Sequence, residues 1–435
     1  MMSGLIFQKT ESSLLNNLNM NRFLHKLTSA AIICTSLVAS SCSMMTEDLD
    51  DCPTGLYVRY VYDYNTMRAD MFKDHVGHVT LYIYDEDGHK VAERSASNID
   101  GNSPLANYGY TMHFSPGELA PGRYRLQAIG LQNDWDNAQT TNRAKYNRVS
   151  GHTEATDFNI TLDHSEQPDE MTGRHTVDHR SLPLDTLWHT LKVMSYDPMD
   201  SRNIPDMHRT SAPYSIYPME EQYVTVTDDH ATYATVSLIR DTKHLNITLR
   251  QLNDKADMQH SRYEVTIDDD NALLAHDNSL VPHHPLRYTP FAGWTTRFSN
   301  NGLEYESGDL TRALNAGAKI PTRSDVDEND PSLERTAHYN IMYNRVMYDT
   351  DPAKCATLRI RNKETGEDVA TINLPYILAQ GRTAYEYYNY SPQEYLDREH
   401  DYHLDFILKG DTWEYVTVMI DILSWSKRIQ NAPLQ

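Results

Sequence analysis

A chain of 435 residues, 39% hydrophobic and 23% charged, is long enough for two hydrophobic cores and needs no staples to fold. Its net charge of −22 offers none of the clustered Lys and Arg that phosphate backbones require, which makes nucleic acid a poor partner. Twenty-nine tyrosines against eight phenylalanines, with a mean hydropathy of −0.63, suit β-strands whose outward faces are wet.

Residues 1–41 read as a signal peptide. Met1 to Asn19 has no leader character, whereas Met20-Asn-Arg-Phe-Leu-His-Lys makes a basic n-region, so a start at Met20 reads better. Leu27 to Val38 is apolar or small and too short to cross a bilayer at ~1.5 Å per residue, as expected of a signal h-region. The next residues, Ala39-Ser40-Ser41-Cys42, resemble a lipobox, in which diacylglycerol is transferred to the thiol and cleavage leaves Cys42 first. Ala39 stands where the common pattern has Leu, and an ordinary signal peptide with an incidental cysteine is the plain alternative. The covalent diacylglycerol and N-acyl lipid on Cys42 is the one non-protein group expected; no cofactor is. Residues 42–52 form the acidic tether, Ser43-Met-Met-Thr-Glu-Asp-Leu-Asp-Asp51. Cys34 belongs to the leader, leaving Cys52 and Cys355 as a pair whose bonding stays open.

Beyond the tether, strand signals dominate. Gly55-Leu-Tyr-Val-Arg-Tyr-Val-Tyr-Asp-Tyr64 alternates with period two, and His78-Val-Thr-Leu-Tyr-Ile-Tyr84 reaches His89-Lys-Val-Ala-Glu93 through an Asp87-Gly88 turn. Gly122 to Gly130 and Asp157 to Leu162 are the other strands expected in the same sandwich. His164 to Tyr217 is polar and Pro-punctuated, with only Leu184 to Val193 ordered in appearance, and reads as an excursion of the first domain. Ala231 to Leu249 opens the second series, followed by Arg262-Tyr-Glu-Val-Thr-Ile267 and His338 to Tyr343. Ala356 to Arg361 and Asp368 to Leu374, joined by a Glu364-Thr-Gly turn, form a hairpin like that of the first half. Pro392 to Glu399 is the best helix signal, Asp397 to Leu408 a short strand candidate, and Trp413 to Trp425 a long closing strand. The expected domains are 53–228 and 229–435.

Chemistry-bearing motifs are sparse. His175 and His179 are four apart and His283-His284 adjacent, but no HExxH occurs, so no metal is expected. Asp325-Val-Asp-Glu-Asn-Asp330 and Asp268-Asp-Asp270 lack the EF-hand spacing and read as solvated loops. There is no GxSxG, P-loop or GxGxxG, and no catalytic residue is assigned. Asp185-Thr186-Leu187 fits a short O-glycosylation signal, which would place that stretch at the surface.

The order of motifs resembles the FimB-type fimbrial anchor lipoproteins of Bacteroidales. The residues that carry it are Asp50-Asp51-Cys52-Pro53 before the Tyr-rich strand, Val79 to Asp85, Pro121-Gly-Arg-Tyr124, Leu238-Ile-Arg240, Arg262 to Ile267, and Ile422-Leu-Ser-Trp425. The resemblance implies an all-β fold of two transthyretin-like β-sandwiches in tandem and a place at the fimbria base, fixing the filament and affecting its length. Acidic residues just after the lipidated cysteine resemble the signal that sends lipoproteins of Bacteroidota to the outer face of the outer membrane. Partners are then fimbrial shaft or accessory subunits, engaged by β-strand addition. In that reading the chain keeps its own first strand, Gly55 to Tyr64, and docks through Trp413 to Trp425 and the tail Ser426 to Gln435, with Val416, Val418, Ile420 and Ile422 on one face and Trp425 at the end. The alternatives are that the closing strand only completes its own sandwich, and that the protein is a glycan-binding or adhesive surface lipoprotein. An enzyme is not expected.

Overall fold

The computed structural model describes residues 53–98, 102–133, 146–177, 183–196, 223–300, 302–315, 326–327, 329–383, 389–410, 412–422 and 425–432, with the backbone alone at 196, 315, 412, 414–422 and 425–432. The leader, the whole tether from Cys42 to Cys52, and His179 lie outside them. In chain order the strands are β1 (Gly55–Val61), β2 (His78–Tyr84), β3 (Lys90–Ser97), β4 (Thr111–Phe114), β5 (Gly122–Leu131), β6 (Tyr146–Arg148), β7 (Asn159–Leu162) and β8 (His175–Thr176). There follow β9 (Leu187–Tyr196), β10 (Tyr223–Val226), β11 (Ala231–Arg240), β12 (Lys243–Gln251), β13 (Tyr263–Asp269), β14 (Leu273–Ala275), β15 (Leu280–Val281) and β16 (Leu286–Tyr288). The last are β17 (Ala292–Ser299), β18 (Gly302–Gly308), β19 (Glu334–Tyr343), β20 (Thr357–Asn362), β21 (Asp368–Asn373), β22 (Asp401–Lys409), β23 (Thr412–Ile422) and β24 (Trp425–Ala432). The protein is all-β, as the alternation predicts.

The first sheet runs β3-β2-β5-β9-β11-β1-β4, with β10 added along β5. Its inward residues meet in one core: Leu56 and Val58 of β1, Val79, Leu81 and Ile83 of β2, Leu126 of β5, Val224 and Val226 of β10, and Val236 and Leu238 of β11. β2 is buried along its whole length because its other face, Tyr82 and Tyr84, packs into the second core. Gly88, at φ 90°, makes the β2–β3 turn that the Asp-Gly pair announces, with Asp85 accepting from the amides of Asp87 and His89.

The second core is enclosed by a seven-stranded sheet, β18-β17-β19-β12-β22-β23-β24, and a five-stranded sheet, β21-β20-β13-β16-β8. Leu245, Ile247, Leu404 and Phe406 come from the first of these, and Val265, Ile267, Leu358 and Ile360 from the second. A four-stranded sheet, β15-β14-β7-β6, closes the side with Ile160, Leu162 and Leu274. The β20–β21 hairpin has Gly366 at φ 74°. The helix Pro392–Arg398 starts as capping rules require, with the Ser391 hydroxyl accepting from the Glu394 amide.

Three expectations need correcting. The run Ala231 to Leu249 is not one opening strand of a second domain, because β11 completes the first sheet and only β12 belongs to the second. The sheet changes at Asp241-Thr242, both fully buried, where the Asp241 amide donates to Leu187 O and the Thr242 hydroxyl to Asp185 O. Asp157 to Leu162 does not join the first sandwich: β7 pairs with β14, because Ile160 and Leu162 find their apolar partners there. The polar stretch after His164 is also more than an excursion, since β8 pairs in parallel with β16 and β9 lies between β5 and β11 at the middle of the first sheet. Gly55–Gln435 is accordingly gathered into one compact unit. Thr186, in the O-glycosylation match, is buried, 4% exposed.

A buried polar network fills the joint where β11 passes into β12. Lys243 Nζ donates to the carbonyls of Asp397 (2.9 Å) and Glu399 (2.8 Å), and Asn278 Nδ2 donates to Asp241 Oδ1 (3.0 Å). Burial raises the Asp241 pKa and lowers that of Lys243, each disfavouring its charged form. Arg345 and Asp397 face each other with wholly buried side chains, Nε to Oδ1 at 2.6 Å and Nη2 to Oδ2 at 3.1 Å. Removing the guanidinium leaves the buried Asp397 carboxylate without its ion-pair partner. Arg345→Met is therefore expected to lose about 3–5 kcal/mol in urea unfolding, whereas the double variant with Asp397→Leu recovers a large part; equal losses in both contradict the reading.

Candidate functional site

Both chain ends of the folded unit are β-strands, and their edges are where another strand can be added. Gly55 begins β1 at φ 86°, and a Cβ there would stand 2.2 Å from the Phe114 carbonyl oxygen, so only glycine lets the chain enter at this point. From Gly55 the strand lies between β11, parallel, and β4, antiparallel. Seven residues pair with β11, from Gly55 opposite Ala231 to Val61 opposite Ser237. Leu56, Val58 and Tyr60 point inward and are buried. On the outer face Tyr57 stacks between His113 and Tyr233, with ring centroids 4.2 and 5.1 Å away, and Arg59 Nε donates to Thr235 Oγ1 at 2.7 Å. The groove between β11 and β4 is thus filled by the chain's own first strand.

At the other end, β22 pairs in parallel with β12, β23 in antiparallel fashion with β22, and β24 with β23. Among the described residues β24 is the edge of the sheet. Val416 stands opposite Phe406 and Ala432, and Val418 opposite Leu404 and Gln430. The β22 pairing ends at His403 with Met419, so Ile420, opposite Lys427, and Ile422, opposite Trp425, pair with β24 alone among the described residues. The expected docking residues therefore lie on a hairpin whose tip runs past its neighbour. The tail is a strand as far as Ala432, although Ser426-Lys-Arg-Ile-Gln-Asn lacks the apolar alternation that marks one.

The residues weighed for metal binding fall differently. Asp268 forms ion pairs with Arg287 (2.7 Å) and Arg174 (3.4 Å), and Asp330 accepts from the Ser332 hydroxyl and amide. His175 and His284 come together with His164, ring centroids 4.6 to 5.0 Å apart, and His283 lies 4.0 Å from His284. Desolvation, then its histidine neighbours, lowers the His284 pKa. No spacing announced this cluster, since β8 is two residues long and pairs across more than a hundred positions. Asp85, Asp87 and His89 place a ligand atom each within 4.8 Å at the β2–β3 turn, where Asp85 already serves the turn's own amides. Cys355 is buried and in no disulfide among the described residues, which do not include Cys52, and its Sγ lies near the carbonyls of Asp349 and Asp351.

Comparison with known proteins decides what such ends belong to. The family described as fimbrillin-A associated anchor proteins Mfa1 and Mfa2 matches residues 49–431. The chain belongs to the Mfa2 family. Two solved structures agree on the fold. A candidate adhesin of Bacteroides thetaiotaomicron is 22% identical with a TM-score of 0.58, the match covering 88% of this chain and 100% of that one. A protein of the same organism named for polysaccharide binding is 22% identical with a TM-score of 0.53, covering 87% and 99%. The fimbrial anchor protein Mfa2 of Porphyromonas gingivalis is 14% identical with a TM-score of 0.46, covering 88% and 100%. No functionally curated protein matches the chain. The Mfa2 family is one of fimbrial anchor proteins, a structural class tied to the fimbrium and to surface adhesion.

The seat of β1 gives a test. A chain beginning at Asn65 is expected to bind a synthetic peptide of residues 53–64 and regain the melting temperature of the longer chain. A peptide with Val58→Asp, which puts a charge where the side chain is fully buried, is expected not to bind. Equal binding of both peptides, measured by fluorescence anisotropy, contradicts the register.

Proposed function

We propose that this chain is the anchor subunit of a fimbria, held in the outer membrane by acyl chains on Cys42, facing the cell exterior, and joined to the adjacent fimbrial subunit through its terminal hairpin. The observation that carries the reading is the asymmetry of the ends. The first strand is seated in its own sheet, so the slot between β11 and β4 is closed to a strand from a neighbouring subunit. The last strand is an edge with unpaired backbone groups on its outer side among the described residues, which β-addition uses. A subunit that accepts no strand ends a polymer, which fits a role at the base and in limiting filament length. One acyl chain binds a membrane marginally and two or more hold firmly, so a triacylated Cys42 suffices as the membrane attachment.

The test combines two variants in cells. Wild-type protein is expected to incorporate labelled palmitate and keep fimbriae on the cell; Cys42→Ser is expected to lose the label and release both protein and fimbriae into the medium. Deletion of residues 425–435 is expected to leave the protein membrane-bound while fimbriae are shed. Full retention of fimbriae with Cys42→Ser refutes the lipid attachment, and full retention with the deletion refutes docking through the tail.

A further inference from the structure

We propose that the fold is a tension-bearing link, in which two parallel strand ladders in series carry load between the chain's ends while most of the sequence is bypassed. The proposal takes its purpose from the anchor reading, but its test does not depend on acylation or on fimbriae.

The path is read from the register. A pull on the N-terminal side enters at Gly55, the start of β1, which is parallel to β11 over seven pairs. β11 leaves at its opposite end, Arg240, so a force drawing β1 backward and β11 forward acts along the ladder. Every pair is then loaded together. Had the two strands been drawn apart from the same end, the pairs would open one at a time. Only Asp241 and Thr242 separate β11 from β12, a span of at most ~7 Å. That connection is pinned by the Leu187 and Asp185 carbonyls, by Asn278 and by Tyr146, whose hydroxyl lies 2.8 Å from Thr242 Oγ1. The second ladder repeats the geometry: β12 is parallel to β22 over eight pairs, from His244 opposite Asp401 to Gln251 opposite Leu408. Load arrives at the start of β12 and leaves at the end of β22, toward β23 and β24.

The chain between the paired strands, about 170 residues from Val61 to Ala231 and about 150 from Gln251 to Asp401, lies outside this path. It stays slack while the ladders hold. The segment that follows β1 reinforces the joint by reaching across to the second half: Thr66 Oγ1 donates to Glu399 Oε2 at 3.0 Å, Arg68 Nε to the Tyr390 hydroxyl at 2.9 Å, and Arg398 lies 4.0 Å over the Tyr64 ring.

Single-molecule pulling of the chain from Cys42 to Gln435 tests this. With handles at Cys42 and at Gly410, just past the end of β22, the first rupture is expected at a force at least twice that seen with handles at Cys42 and at Asp229, the exposed turn before β11, from which β1 is peeled pair by pair. Release of the bypassed segments is expected to add in total roughly 60 nm and then roughly 50 nm at ~3.5 Å per residue. A second measurement needs no handle in the turn. A disulfide between Tyr57→Cys and Tyr233→Cys, directly opposite in the ladder, is expected to abolish the first gain in length until it is reduced. Equal rupture forces in the two pulling geometries, or a first gain indifferent to the disulfide, overturn the proposal.

Discussion

The parallel pairing of β1 with β11 is the constraint on which the rest depends. It fixes the N-terminal end of the folded unit inside a sheet, one strand from the edge, between β11 and β4, with Leu56 and Val58 fully buried. A parallel neighbour cannot be reached by a tight turn. β11 accordingly arrives only after the first sheet's other strands have been laid down, and it then continues without a loop into the second sheet. One run of residues therefore closes the first sandwich and opens the next, and the two share the joint at Asp241-Thr242.

The sharing goes further than a common strand run. β6, β7 and β8 come from the first half of the sequence and serve the second core, and Tyr82 and Tyr84 present the back of β2 to it. Buried ionic groups such as Arg345, Asp397 and Lys243 stand at this junction, where replacing them with apolar residues of like volume often costs nothing in stability. Their value lies in direction. Lys243 caps two carbonyls just before β22 and Arg345 holds the helix Pro392–Arg398, so β22 is placed beside β12 in one register. For a protein of a fimbrial anchor family, a joint that permits one arrangement is more useful than one that is merely apolar.

Period-two alternation showed where strands lie, and turn chemistry showed two hairpins, because Asp87-Gly88 and Glu364-Thr-Gly are local signals with local causes. The helix at Pro392 was legible from its Ser-Pro start and Glu394. Alternation says which face of a strand is apolar and nothing about which strand lies beside it. That is why Ala231 to Leu249 reads as one element though it serves two sheets, and why Asp157 to Leu162 reads as part of the wrong sandwich. The histidine cluster was hidden for the same reason, being made by pairing across sequence distance. The order of motifs carried the family more surely than any one of them, since it is the order that the fold preserves. The residue expected to hold lipid, Cys42, lies outside the described residues, so that expectation rests on the sequence alone.

Hydrogen exchange at the amides of residues 56–61 tests the seating of the first strand most directly. If β1 is an integral strand, these amides exchange as slowly as those of its neighbour β11, opening only with the whole sheet. Exchange within seconds, at the rate of an unstructured peptide, would mean that the groove stands open and that the chain accepts a strand where it is held here to supply its own.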